Sequence, residues 1–208
     1  MKFWINSVLG TTSLVILPFF PLMGYTSSEV VTYPAPPGLV TSHDFTVKVN
    51  ETDIWVERIG SSLHTAEYSL YDNIEMEYLN VANFSCSGSM TIRITASAAI
   101  DSFVIRPKSR GITGRVNGCD LIFTIPGPQK LYIEINGLPH LAIFANPLET
   151  DPPKQGDPGV VYFGPGIHSP EQITLQSNQT IYVAGGAIVN ANIRGNDLHN
   201  VKIMGRGM

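Results

Sequence analysis

Ile181–Val189 reads IYVAGGAIV, two apolar bursts on either side of a Gly-Gly corner. Twenty residues upstream, Val161–His168 reads VYFGPGIH, and twenty downstream, Val201–Met208 reads VKIMGRGM. The trios Val161-Tyr162-Phe163, Ile181-Tyr182-Val183 and Val201-Lys202-Ile203 align at that spacing, as do Ile173 and Ile193. Gly166, Gly186 and Arg206 fall at equivalent corners. Short strands with tight corners at a period near twenty predict a β-solenoid, in which each turn of chain stacks on the last. The middle residues Tyr162, Tyr182 and Lys202 are expected to point outward, and their flanking neighbours into the coil. Such coils cannot bury a face alone and need about three repeats. About two and a half are visible, so Met208 reads as a broken end with an unpaired strand edge.

Upstream, the pattern changes to alternation with period two. Phe45, Val47 and Val49 share one face, as do Met90, Ile92 and Ile94, then Leu121, Phe123 and Ile125, then Leu131, Ile133 and Ile135. Asp53–Ile59 reads as another strand, whereas Ala66–Val81 is ambiguous, with a Glu-Met-Glu run that suits a helical turn. Asn117-Gly118 and Asn136-Gly137 are the dipeptides suited to hairpin turns with positive φ. These short strands across residues 29–147 predict an antiparallel β-sandwich. Residues 148–158 lack apolar periodicity and read as a linker, with residues 159–208 as the first coils. The 19 glycines and 15 prolines exclude a helical protein. The expected fold class is therefore all-β.

Charged residues make up 14% and the net charge is −4, which argues against a nucleic-acid partner. Residues 1–28 have the layout of a secretory signal peptide: Lys2, an apolar run from Leu14 to Met23, then Gly24, Ser27 and Ser28. An uncleaved anchor is the other reading, although the run is shorter than the roughly 20 residues of a membrane span. A secreted protein with no membrane attachment after cleavage is expected. In that compartment Cys86 and Cys119 either form a disulfide or remain two thiols. Asn50, Asn83 and Asn178 begin N-glycosylation triplets, relevant in a glycosylating host. No metal-ligand spacing and no cofactor motif is visible.

Val160–Met208, through the segments YFGPGIH, LQSNQTIYVAGGAIV and NVKIMGRG, resembles the opening coils of right-handed parallel β-helix glycoside hydrolases. These are the dextranase-like (glycoside hydrolase family 49) and polygalacturonase-like enzymes. Val104–Pro107 and Ile143–Asp151 resemble the end of the sandwich preceding the helix in the dextranase-like branch. The resemblance implies hydrolysis of a polysaccharide, an α-glucan or a pectin-like chain, by carboxylates on middle coils. No position here matches a family catalytic residue, so the catalytic set in this chain is empty and inactivity alone is expected. A non-catalytic carbohydrate-binding or surface protein on the same scaffold is the alternative, and a structural piece without a function of its own a third.

Among other polar residues, Glu149, Asp151 and Asp157 either solvate the linker or border a sugar groove. Asp197 suits a turn more than catalysis. His168 lacks a partner and reads as a surface or packing residue. Tyr162 and Tyr182 are the weak substrate-binding candidates: stacked at adjacent coils they either offer a platform for sugar rings or pack against the sandwich.

Overall fold

The structure, a computed structural model, describes residues 28–60 and 78–208. The proposed leader and most of Ala66–Val81 lie outside the described residues. The strands of the first part are β1 (Glu29–Thr32), β2 (Phe45–Val49), β3 (Thr52–Ile54), β4 (Val56–Gly60), β5 (Tyr78–Ser87) and β6 (Met90–Ala96). They continue as β7 (Phe103–Arg106), β8 (Gly114–Asn117), β9 (Asp120–Ile125), β10 (Gln129–Ile135) and β11 (Leu141–Pro147). Among the described residues the only helical element is a single 3-10 turn, Lys108–Arg110.

These strands make two sheets. One runs β1-β5-β11-β10-β7, with β4 beside the first half of β5; the other runs β3-β2-β6-β9-β8. Alternation decides which side chains go between them. Val47, Val49, Ile92, Ile94, Leu121, Ile125, Ile133 and Ile135 are all fully buried and join one core with Phe84 and Ile143 from the other strands. Burying one such side chain contributes about 1.5–3 kcal/mol. Their odd-even neighbours, such as Thr46 and Thr91, face water.

Three details differ from the reading of the sequence. Asp53–Ile59 is two strands, because the chain leaves one sheet at Ile54 and enters the other at Val56, with Trp55 at the crossing. The pairing is not wholly antiparallel: β5 and β11 run parallel, from Leu141↔Asn80 to Pro147↔Cys86. In the β8–β9 hairpin Asn117 pairs with Asp120, so the loop is Gly118-Cys119, not Asn117-Gly118. Gly118 has φ 61 at the first loop position, the one that requires glycine in a type II′ turn.

The last part has β12 (Val160–Phe163), β13 (Gly166–His168), β14 (Gln172–Thr174), β15 (Thr180–Val183), β16 (Ala187–Val189), β17 (Asn192–Arg194) and β18 (Lys202–Gly205). They form three parallel ladders, β12-β15-β18, β13-β16 and β14-β17. Successive circuits of the chain therefore lie on one another. Tyr162 pairs with Tyr182 and Ile173 with Ile193, as the period of twenty requires. Val161, Phe163, Ile173, Ile181 and Val183 pack together inside.

The third trio is displaced. Ile181 pairs with Ile203 and Tyr182 with Met204, so the register is longer by two residues than the alignment of Val201-Lys202-Ile203 supposed. A shift of two keeps each side chain on its face, which is why the apolar pattern hides it. The corner that keeps true register is Asn178 and Asn200, both left-handed at φ 67 and 55, with Asn200 Nδ2 donating to Asn178 Oδ1 at 3.1 Å. Gly205, φ 137, completes β18; a Cβ there would run into the Val183 carbonyl.

Candidate functional site

Of the polar side chains that the sequence singled out, Asn83, Glu149 and Tyr182 converge where the ladders meet the outer face of the β1–β5–β11 sheet. Alternation along β5 and β11 sends Asn83, Ser85 and Asn146 outward there, opposite the core residues Phe84 and Ala145. Asn146 Nδ2 donates to Asn83 Oδ1 at 2.8 Å, and Asn83 Nδ2 donates to the Arg206 carbonyl at 2.6 Å. The Arg206 guanidinium reaches across the same joint. It donates to Ser85 Oγ at 3.2 Å and to the Pro147 carbonyl at 2.9 Å, and lies 3.9 Å from Glu149. Tyr33, just beyond β1, shares a 2.6 Å hydrogen bond with Ser85.

Tyr162 and Tyr182 do stack, with centroids 5.5 Å apart and planes 21° from parallel. They are no open platform. Tyr182 is only 4% exposed, and its hydroxyl donates to Glu149 Oε2 at 2.8 Å. Burial first, and then the hydrogen bond to the carboxylate, push the Tyr182 phenol far above its ordinary value, so it stays neutral. Burial likewise raises Tyr33 against the lowering effect of Ser85. Glu149 is thus a joint residue rather than a freely solvated one. Asp157 caps the Lys154 amide at 2.7 Å, and Asp197 holds a left-handed corner at φ 50. His168 packs edge-on against Phe163 and bonds the Gly164 carbonyl at 2.7 Å.

Beside the joint, Glu57 is 93% buried by its 7% exposure, and its Oε2 has no hydrogen-bond partner. It lines a void of about 20 Å³, room for about one water, together with Trp55, Asn83, Tyr33 and Gly186. Burial alone raises the Glu57 carboxyl pKa above its ordinary range. The prolines after β1 close the void on one side: a Cβ on Gly186 would meet the Pro34 carbonyl at 2.8 Å. Sequence reasoning missed Glu57, because an acid in an alternating strand reads as solvent-facing until a second unit covers that face.

The two cysteines are not bonded. Cys86 is wholly buried in the core and Cys119 is exposed in the β8–β9 loop, which corrects the disulfide reading. The side chain of Asn50 donates to Ser28 and accepts from the Thr91 amide at 2.9 Å. Among the described residues, groups of three or more His, Cys, Asp or Glu placed to hold a metal are absent, and no helix is long and apolar enough to cross a membrane.

These features define a class by architecture: an all-β chain in which a two-sheet body is followed by stacked parallel ladders. A solved structure with that architecture is Dex49A from Penicillium minioluteum, which superposes with a TM-score of 0.62 at 18% identity. The match covers 85% of this chain and 47% of Dex49A, so the chain spans about half the length of that protein. At that identity the likeness is one of fold. No family model matches the sequence, and no curated protein matches it.

Proposed function

We propose that this chain is the N-terminal portion of a secreted, dextranase-like glycoside hydrolase: a β-sandwich followed by the first coils of a right-handed parallel β-helix. Its substrate class is a polysaccharide. The observation that supports the reading is the likeness of fold to Dex49A over 85% of the chain. Hydrolysis needs one carboxyl to protonate the leaving oxygen and a second carboxylate on the other face of the sugar. Glu149 is committed to Tyr182 and Arg206, and Glu57 is enclosed, so neither is free for that work. On this reading the chain alone is inactive, its polysaccharide-cleaving carboxyls belonging to coils outside it.

Two measurements test this. Gels containing dextran or polygalacturonate should retard the native protein, and failure in every polysaccharide gel would contradict the reading. Reducing ends should not accumulate when the chain is incubated with either polymer; turnover would overturn the claim of inactivity.

A further inference from the structure

The two-sheet body carries a second cleft, which shares Tyr33 and Trp55 with the void at the joint. It measures about 410 Å³ and opens between β1 and the strands β2, β3 and β4. This size falls within the roughly 300–1,000 Å³ of small-ligand sites. Its floor is the edge of the core, Phe45 and Val56 among others, each no more than 3% exposed. Two aromatic rings, Tyr33 and Trp55, line it, and both also border the void at the joint. The indole is half-buried, and its Nε1 donates to Thr41 Oγ1 at 3.3 Å, which fixes the ring. The rim is polar: the Thr32, Thr41 and Thr46 hydroxyls and the Asp53 carboxylate, whose side chain is 81% exposed.

We propose that this cleft is a binding site for a neutral saccharide. The chemistry matches in each part. Pyranose rings present apolar C–H faces that lie against aromatic rings, as amphipathic groups do at wet interfaces. Sugar hydroxyls donate to Asp53, and they both donate to and accept from the threonine hydroxyls. Among the described residues, those that line the cleft include no cation, and Lys48, 3.3 Å from Asp53, is compensated by it. An anionic glycan would therefore meet a carboxylate without an unpaired positive charge. The inference rests on the polysaccharide reading above and adds the place and the class of sugar.

The test uses the whole chain and a dextran affinity gel, with polygalacturonate and a sugar-free gel beside it. Trp55 is one of two tryptophans in the chain, the other being Trp4, so dextran should also change the indole fluorescence. Trp55→Ala should weaken retention about tenfold or more. Thr46→Lys, at an exposed strand position, should obstruct the cleft while leaving the circular dichroism of the sheets unchanged. Retention by dextran that both variants reduce supports the site. Retention unchanged in both variants overturns the cleft and leaves the polysaccharide reading standing. Retention by polygalacturonate alone overturns the neutral class. No retention in any gel overturns both readings.

Discussion

Glu57 puts a titratable group where none of its surroundings compensates its charge. In the unfolded chain the carboxyl titrates near 4.5, and in the folded chain burial raises that value. The folded state thus binds the proton more tightly, so stability is greatest below about the unfolded value and falls as pH rises through the folded one. Urea melts between pH 4 and pH 8 should show that fall, and Glu57→Gln should remove its share of it, making the variant the more stable at pH 8. A variant with the same pH slope as the parent would contradict the assignment. The cysteines give a second residue-scale prediction. Cys119→Ser should leave stability unchanged, whereas Cys86→Ser buries an unpaired hydroxyl and should cost about 1–3 kcal/mol. A reducing agent should not shift the melting temperature at all.

At the scale of elements, the ladders depend on corners more than on strands of three or four residues. Asn178 and Asn200 hold left-handed backbone that alanine adopts at a cost of about 1–2 kcal/mol. Asn178→Ala should lower stability by that amount, and Asn178→Gly should recover part of it, read by chemical denaturation. Gly205→Ala should do more damage, because the added Cβ meets the Val183 carbonyl in the neighbouring circuit. Much of this was legible beforehand. The period of twenty foretold the Tyr162–Tyr182 and Ile173–Ile193 pairs, and the period of two foretold the inward faces of β2, β6, β9 and β10. The two-residue slip at β18 was not legible, since alternation is blind to even shifts. The change of sheet at Trp55 was also hidden, because a continuous strand-like run does not say which neighbour each half will pair with.

For the whole molecule, the joint sets whether the two units act as one. Arg206, Glu149, Tyr182 and the β5 pair Asn83 and Ser85 come from four separate stretches, and no local pattern announces that they will meet. Their spacing alone leaves the tyrosines facing either sugar or protein; the geometry puts Tyr182 against Glu149. Hydrogen bonds to charged groups contribute about 1.5–3 kcal/mol each. Arg206→Ala should therefore loosen the ladders from the sheets by about 2–3 kcal/mol, with faster amide exchange in β15 and β18 and unchanged exchange in β6 and β9. Equal acceleration in both units would contradict a joint with this role.

The account as a whole requires residues 159–208 to be stacked circuits with strands in parallel, and a cross-link reads this most directly. In a Cys119→Ser background, Gln172→Cys with Asn192→Cys should join under mild oxidation, since these exposed positions are partners in the parallel ladder. Gln172→Cys with Arg194→Cys should remain reduced. The opposite result, a bridge to position 194 and none to 192, is what antiparallel strands centred on Ile173 and Ile193 would give, and it would contradict the account.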